Sequence, residues 1–296
     1  MITKKIITTK ELDEVIFFLK KGFQIYNQEL DNLEKYLQKS NLQLGFYGFV
    51  NYSEEKKIDG AILTPLQCRA HTNSFKKPII NLSTWYMLQK SRGLKSINFA
   101  KFFLKELENF YITDYSANKQ AYSIFKFFGF KDLISSKICS LFSIIFLVNP
   151  LKKGLIKNFS QDEVKKIHKE INSYNLIHDI KFYGFSYKNN SFTFAARKRN
   201  SIINLFFGLK IKIPILDIIW CSNPKCLSEN WKVFCKTSFL KIFTVGIYCI
   251  FNDNDLPTIS KFDNLFGIKK IKTRFLTYGS TDQKLINTLG SEVMIF

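Results

Sequence analysis

Between Ile79 and Phe130 the sequence changes its hydrophobic period several times, and that succession limits the fold more than any other feature. Ile79–Met87 (IINLSTWYM) reads as a strand. The turn that follows, Gln89-Lys90-Ser91-Arg92-Gly93, is basic and ends in glycine. Ser96–Phe110 then carries Ile97, Phe99, Phe102, Phe103, Leu107 and Phe110 mostly on one side of a helix. Tyr111–Tyr115 is a short strand, and Asn118–Phe128 is a second helix stopped by Gly129. Alternating strands and amphipathic helices of this kind pack as helices on a sheet, so an α/β fold is expected.

The flanking segments extend the pattern. Leu12–Lys21 and Gln28–Gln38 have the spacings of short amphipathic helices. Leu42–Tyr52 and Ile58–Pro65 read as a hairpin across Ser53–Lys57, and Gln67–Pro78 is polar and irregular. In the second half, Gln161–Asn175 is a helix, and Lys181–Tyr187 and Ser191–Lys198 form a hairpin around Asn189-Asn190. Ile213–Cys221 is a strand, Leu227–Lys241 a helix and Val245–Asn252 a strand, with Ile271–Leu276 and Glu292–Phe296 as edge strands. At about 150 residues per domain the length suggests two domains. The polar, basic joint at Pro150–Gly154 would divide them into 1–150 and 151–296. The second half then reads as a degenerate structural echo of the first.

Composition excludes several classes. With 46% hydrophobic and 16% aromatic residues, the chain is too apolar for intrinsic disorder, and 13 Gly with 6 Pro rule out a collagen-like sequence. The net charge of +20 invites a nucleic-acid partner. Only 5 of the 44 basic residues are Arg, the residue suited to bidentate phosphate and base recognition. The remaining lysine is the background an AT-rich genome would give, so no nucleic-acid partner is expected, and a small phosphate-bearing substrate fits the charge. The 6 Cys are scattered without a C-x-x-C pair, so reduced, mostly buried thiols and no metal are expected. Met1–Lys10 does not read as a secretory signal, and the longest apolar run, Ile138–Val148, falls short of the roughly 20 residues a bilayer needs. A cytoplasmic location follows from this reading.

The stretch with chemical content is the turn before the helix. A helix N-terminus aims free N–H groups and partial positive charge at the preceding turn, so Arg92, Gly93, Leu94, Lys95 and Ser96 form a candidate pyrophosphate site. Behind it, Asn118-x-x-Ala121-x-x-x-Phe125-x-x-x-Gly129-Phe130 resembles the N-x-x-A-x-x-x-Y-x-x-x-G-F helix of the GNAT acyltransferase superfamily. Asn118 would cap that helix and Gly129 would end it in a left-handed conformation. The likeness covers about residues 40–132. Leu82-Ser83-Thr84-Trp85-Tyr86-Met87 followed by Arg92 further resembles the L-S-S-W-Y-V-x-P-x-Y-R segment of a GNAT branch associated with bacterial exopolysaccharide and capsule loci. Thr113–Ala117 and Leu289–Glu292 are similar to that branch as well.

The resemblance implies a mixed, mostly antiparallel sheet flanked by helices, followed by a second GNAT-like or cap domain. It implies acetyl-CoA as co-substrate, with backbone N–H groups of Met87 and Leu88 on the acyl carbonyl and pantetheine, the Arg92–Ser96 turn on the pyrophosphate, and Asn118 and Phe125 beside the cofactor. The reaction would be acyl transfer to a primary amine within a ternary complex, the acceptor being an amino sugar, nucleotide-linked, in surface-polysaccharide synthesis. Two departures stand out. Ile79–Met87 lacks the carboxylate that GNAT enzymes often use as base, leaving Ser83, Asn81, His71 or Asp114 to hold or relay the proton. The usual Tyr acid is Phe125, with Tyr122 as substitute. Cys68 and His71 do not by their spacing establish a thiol nucleophile. Two other readings compete: a non-catalytic acyl-CoA-binding scaffold, favoured by those departures, and a peripheral membrane component, favoured by apolar Ile202–Phe207 and the lysine-rich surface.

Overall fold

The computed structural model describes the chain except residues 1, 24–26, 43, 67–77, 115–116, 134, 142–147, 150, 161, 164–179, 205–209, 253–255, 262, 264–267, 273–274 and 280–296. Cys68, His71, the helix expected over Gln161–Asn175, the strand expected over Glu292–Phe296 and the Leu289–Glu292 segment lie outside the described residues. The chain divides into two compact units. The first takes Met1–Leu133 and the strand Phe275–Tyr278, and the second takes Ile134–Thr273. The division therefore falls at Leu133 instead of Pro150, and each half of the sequence contributes a strand to the other unit.

The N-terminal unit contains β1 (Ile2–Ile6), α1 (Thr9–Phe23), α2 (Asn27–Ser40), β2 (Gly48–Tyr52), β3 (Ile58–Leu63), β4 (Ile79–Asn81), β5 (Ser83–Met87), α3 (Leu94–Glu106), β6 (Tyr111–Asp114), α4 (Lys119–Phe127) and β7 (Lys131–Leu133). Thr8 and Glu11 open α1 as a reciprocal box: Glu11 N–H donates to Thr8 Oγ1 (3.2 Å) and Thr8 N–H to Glu11 Oε2 (3.1 Å). One sheet runs β1-β2-β3-β5, all antiparallel. Strand β1 was not expected. It is an edge strand with two adjacent lysines, Lys4 and Lys5, so its apolar pattern is weak.

The segment expected as one strand, Ile79–Met87, is two. β4 pairs in parallel with β6, and Leu82 N–H still donates to Thr113 C=O (2.7 Å). Beyond Leu82 the chain leaves β6 and joins β3 as β5, through a register shift that holds Thr84 at φ 52°. A β-branched residue in that left-handed region is a real outlier, costing about 1–2 kcal/mol.

The C-terminal unit contains β8 (Ser135–Leu141), β9 (Leu155–Phe159), β10 (Ile180–Tyr187), β11 (Asn190–Asn204), β12 (Lys210–Cys221), α5 (Pro224–Glu229), α6 (Trp231–Ser238), a π-turn over Phe239–Phe243, β13 (Gly246–Asn252) and β14 (Ile268–Lys272). They form one sheet of order β14-β8-β13-β12-β11-β10-β9, antiparallel except for β12 with β13. Trp231 and Phe234 of α6 are buried, and Trp231 Nε1–H donates to Ser140 Oγ (2.9 Å). The expected helix Leu227–Lys241 is thus three pieces. The strand expected over Ile271–Leu276 is two, because β14 stays in this sheet while β15 (Phe275–Tyr278) enters the other.

Both units follow the same order of strand pairing. An antiparallel run is followed by a helical crossover to a parallel strand (β4 to β6, β12 to β13). Each sheet is then completed by a strand from elsewhere in the sequence: β15 sits between β6 and β7, and β8 between β13 and β14. Among the described residues no helix is long and apolar enough to cross a membrane.

Candidate functional site

The break at Leu82 opens the sheet where β5 turns away from β6. Gly60 and Met87 face each other across β3 and β5, and Leu88 N–H donates to Asp59 C=O (2.9 Å). Antiparallel ladders alternate, so if Leu88 bonds back to β3, the N–H of Met87 points away from it. Met87 thus offers a free donor on the open side. The expectation for Leu88 fails, since its N–H is already used.

Past β5, a short 3-10 turn, Gln89–Ser91, carries the chain into α3. Gly93 precedes the helix at φ 82°, ψ −128°, a conformation open to glycine alone, and no side chain caps the helix. The first intrahelical bond is Ile97 N–H to Gly93 C=O (3.2 Å), which leaves the N–H groups of Leu94, Lys95 and Ser96 without an intrahelical acceptor. Arg92 Nε–H donates to Met87 C=O (3.2 Å), which fixes the base of its guanidinium beside this helix end.

Helix α4 is built as its sequence predicts. Asn118 Oδ1 accepts from Gln120 N–H (3.0 Å) and Ala121 N–H (2.9 Å). At the other end Gly129 has φ 87°, Phe130 N–H reaches Phe125 C=O (3.0 Å) and Gly129 N–H reaches Lys126 C=O (3.0 Å). That is a Schellman ending, with the Phe125 and Phe130 rings in contact at 4.8 Å.

These elements enclose a cleft of about 870 Å³, a volume suited to a ligand larger than a simple metabolite. Phe23, Trp85, Tyr86 and Met87 form its apolar side; Arg92, Gly93 and Ser96 bring the α3 end; and Asn118, Lys119 and Ala121 bring the α4 end. Its described lining has two cations, Arg92 and Lys119, and no carboxylate. Of its lining residues, Trp85 has a buried Nε1–H with no protein partner. An orphaned buried donor of this kind is rare in a closed core.

The structure brings together Met87, Arg92, Gly93, Ser96 and Asn118 at this cleft. Leu94 and Lys95 are exposed and are not among the described lining residues. The expected catalytic set is not gathered there. Ser83 and Asp114 are buried, and neither lines the cleft. The Tyr122 hydroxyl donates to Asp132 Oδ1 at 2.5 Å, and that bond, with Lys126 at 3.1 Å, holds the Asp132 carboxyl below its ordinary range. Tyr122 is therefore engaged on the helix surface and is no substitute acid.

Phe125 is fully buried against Trp85 (5.1 Å) and Phe130 and is a core residue, not a cofactor contact. What the sequence did not single out is the aromatic wall. The Tyr86 ring lies against Gly22 of α1, where any Cβ would clash at 2.5 Å, and packs on Phe18 and Phe23. A glycine in the last turn of an amphipathic helix was the only signal for it.

No family model matches the sequence, and a search of curated proteins finds no match. Solved structures do match. A Pyrococcus horikoshii protein named as an acetyltransferase aligns over 99% of this chain and 92% of its own, with TM-score 0.54 at 10% identity. A GCN5-related N-acetyltransferase from Kribbella flavida aligns over 93% and 70%, with TM-score 0.52 at 8% identity. Eis1 from Mycobacterium abscessus aligns over 93% and 73%, with TM-score 0.54 at 12% identity. Together with the broken strand and the uncapped helix behind it, these likenesses establish that the chain has the GNAT acyltransferase fold.

Proposed function

We propose that the protein is an acyl-CoA-dependent N-acyltransferase whose co-substrate lies in the N-terminal unit. The observation that carries this reading is one cleft in which a donor turned out of its sheet (Met87 N–H), an uncapped helix end (Leu94–Ser96) and an arginine (Arg92) converge. The uncapped N–H groups and Arg92 suit a pyrophosphate. Met87 N–H suits a carbonyl oxygen that gains charge as an amine attacks it. In the reaction a C–N bond forms, the C–S bond breaks, and the attacking nitrogen loses its proton to water or to the departing thiolate. No side-chain base is assigned.

The acceptor we favour is an amino sugar carried on a nucleotide, used in surface-polysaccharide synthesis in the cytoplasm, with acetyl as the simplest acyl group. A cationic cleft with no carboxylate among its described lining residues suits an acceptor that brings its own phosphate, and it disfavours polyamines. The test is thiol release from acetyl-CoA with a panel of nucleotide-linked amino sugars and a polyamine control. Turnover with the first group and none with the second is expected.

A second reading has one observation of its own. Neither position expected to supply the acid does so: Phe125 has no hydroxyl and is buried, and Tyr122 is engaged with Asp132. Coenzyme A binding with silence on every amine would make the protein an acyl-CoA-binding module.

A further inference from the structure

A second, basic pocket lies in the C-terminal unit. At the β9 edge of the sheet, Asn158, Lys181, Tyr183 and Lys198 surround a space of about 320 Å³, which Lys241 and Ile242 of the π-turn close. Among its described lining residues there are three lysines and no carboxylate. The turn is fixed at two points: Lys198 Nζ donates to Ile242 C=O (2.8 Å), and Val245 N–H donates to Pro214 C=O (2.8 Å).

Held this way, the same segment presents apolar side chains to solvent. Phe243 is 77% exposed, Leu240 48% and Val245 37%. Phe243 occupies φ 55°, a left-handed conformation that glycine would take without strain. A bulky aromatic kept both strained and exposed contributes nothing to the unit's packing, and retained strain of this kind points to a function at the surface.

We infer that this face seats on an anionic membrane surface, with lipid phosphates entering the three-lysine pocket and Phe243, Leu240 and Val245 entering the headgroup–acyl boundary. Stable peripheral attachment needs two signals, a basic patch and buried apolar area, and this segment supplies both. Each lysine near an anionic leaflet is worth about fivefold in partition, so three give about 10²-fold. The chain's overall +20 charge would attract such a surface without discrimination; the apolar turn makes the contact local. The inference stands whether or not the protein transfers acyl groups.

Flotation of the full-length protein with phosphatidylcholine vesicles, and with vesicles of equal parts phosphatidylcholine and phosphatidylglycerol, tests it. Flotation only with the anionic vesicles is expected. Lys181→Glu with Lys241→Glu should abolish it, and Phe243→Gly should lower the partition about tenfold or more. Phe243→Gly also relieves the backbone strain, so its melting temperature should hold or rise and unfolding cannot explain the loss; Leu240→Ser repeats the test if it does not. Absence of flotation overturns the inference. So does flotation that Phe243→Gly and Leu240→Ser leave unchanged, which would be diffuse charge attraction. Displacement of the vesicles by single-stranded RNA, or a dimer in sedimentation that Phe243→Gly dissolves, would assign the face to RNA or to a second copy instead.

Discussion

In the N-terminal unit the strand that leads to the crossover helix breaks at Leu82, whereas in the C-terminal unit β12 runs unbroken from Lys210 to Cys221. The first strand abandons its parallel partner and strains Thr84 to do so. The second keeps β13 in register over Ile215–Ile218 and stays with β11 along its other edge through a one-residue register shift between Ile218 and Trp220. The helices that follow differ in the same sense. α3 begins at Gly93 with no side-chain cap, while α5 begins at Asn223, whose Oδ1 accepts from Cys226 N–H (3.0 Å), with Pro224 in the first turn. A ligand cleft of this type is therefore no property of the shared topology. It needs two local departures, a split strand and an open helix end, each leaving polar groups unpaired at about 1–3 kcal/mol apiece. The C-terminal unit carries β12 through its register shift as one strand and caps the helix that follows.

The largest effect should come from separating the units. A chain ending at Pro150 lacks β15, and with it fully buried Leu276 and the Tyr278 ring stacked on Phe130 at 5.0 Å. It also leaves β8 without β13 and β14. We expect no cooperative thermal melt from it; a sharp melt would show that the units are independent. Next, Arg92→Glu should weaken coenzyme A binding about tenfold or more, since it sets an anion against the phosphates, while Lys225→Glu at the corresponding turn of the other unit should change it less than about twofold. Calorimetry should give one site per chain. Two sites, or equal sensitivity to both substitutions, would break the contrast.

Phe125→Tyr probes the core beneath the cleft. Burying a hydroxyl there should cost about 1–3 kcal/mol in a urea melt. Thiol release should change within about tenfold, because a thiolate leaves without much acid help. The smallest effect concerns a device both units share. Burial raises the Glu11 carboxyl, but Lys4 and the N–H groups of Ile7 and Thr8 outweigh it and bring it from 4.5 to about 2. Its contribution is complete above the unfolded value near 4.5 and is lost as pH falls through about 2. Glu11→Gln should remove about 1 kcal/mol at neutral pH and nothing at pH near 2. The C-terminal unit has a matching box, Ser260 with Asp263, whose carboxylate Lys232 reaches at 2.6 Å.

What the sequence made legible was local. Asn118 and Gly129 fix the ends of α4 through bonds a few residues long, so a pattern of that length suffices to place them. Gly93 was legible for the same reason. The division of Ile79–Met87 was not, because nothing in LSTWYM distinguishes a strand that stays with β6 from one that deserts it. That choice rests on β3 and on Gly60, over which the Met87 side chain lies. The catalytic candidates misled because residue type shows capacity and not direction: Tyr122 has the hydroxyl, but Asp132, ten positions on, claims it. The placement of β8 and β15 lay furthest from reach, since each pairs, within its own unit, with strands on the far side of the Pro150 joint that composition suggests as the boundary.

That placement also sets a timetable for biosynthesis. β6 and β7 leave the ribosome long before β15, whose Tyr278 opposes Ile112 and whose Phe275 opposes Leu133. At about 5–20 residues per second, the nascent chain waits roughly 10–30 s between those events. Throughout that interval the inner edges of β6 and β7 present unpaired N–H and C=O groups, and Phe130 lacks its stacking partner. The nascent chain is then an open template for other strands, so a chaperone that holds it until β15 arrives should govern its yield more than the stability of the finished protein does.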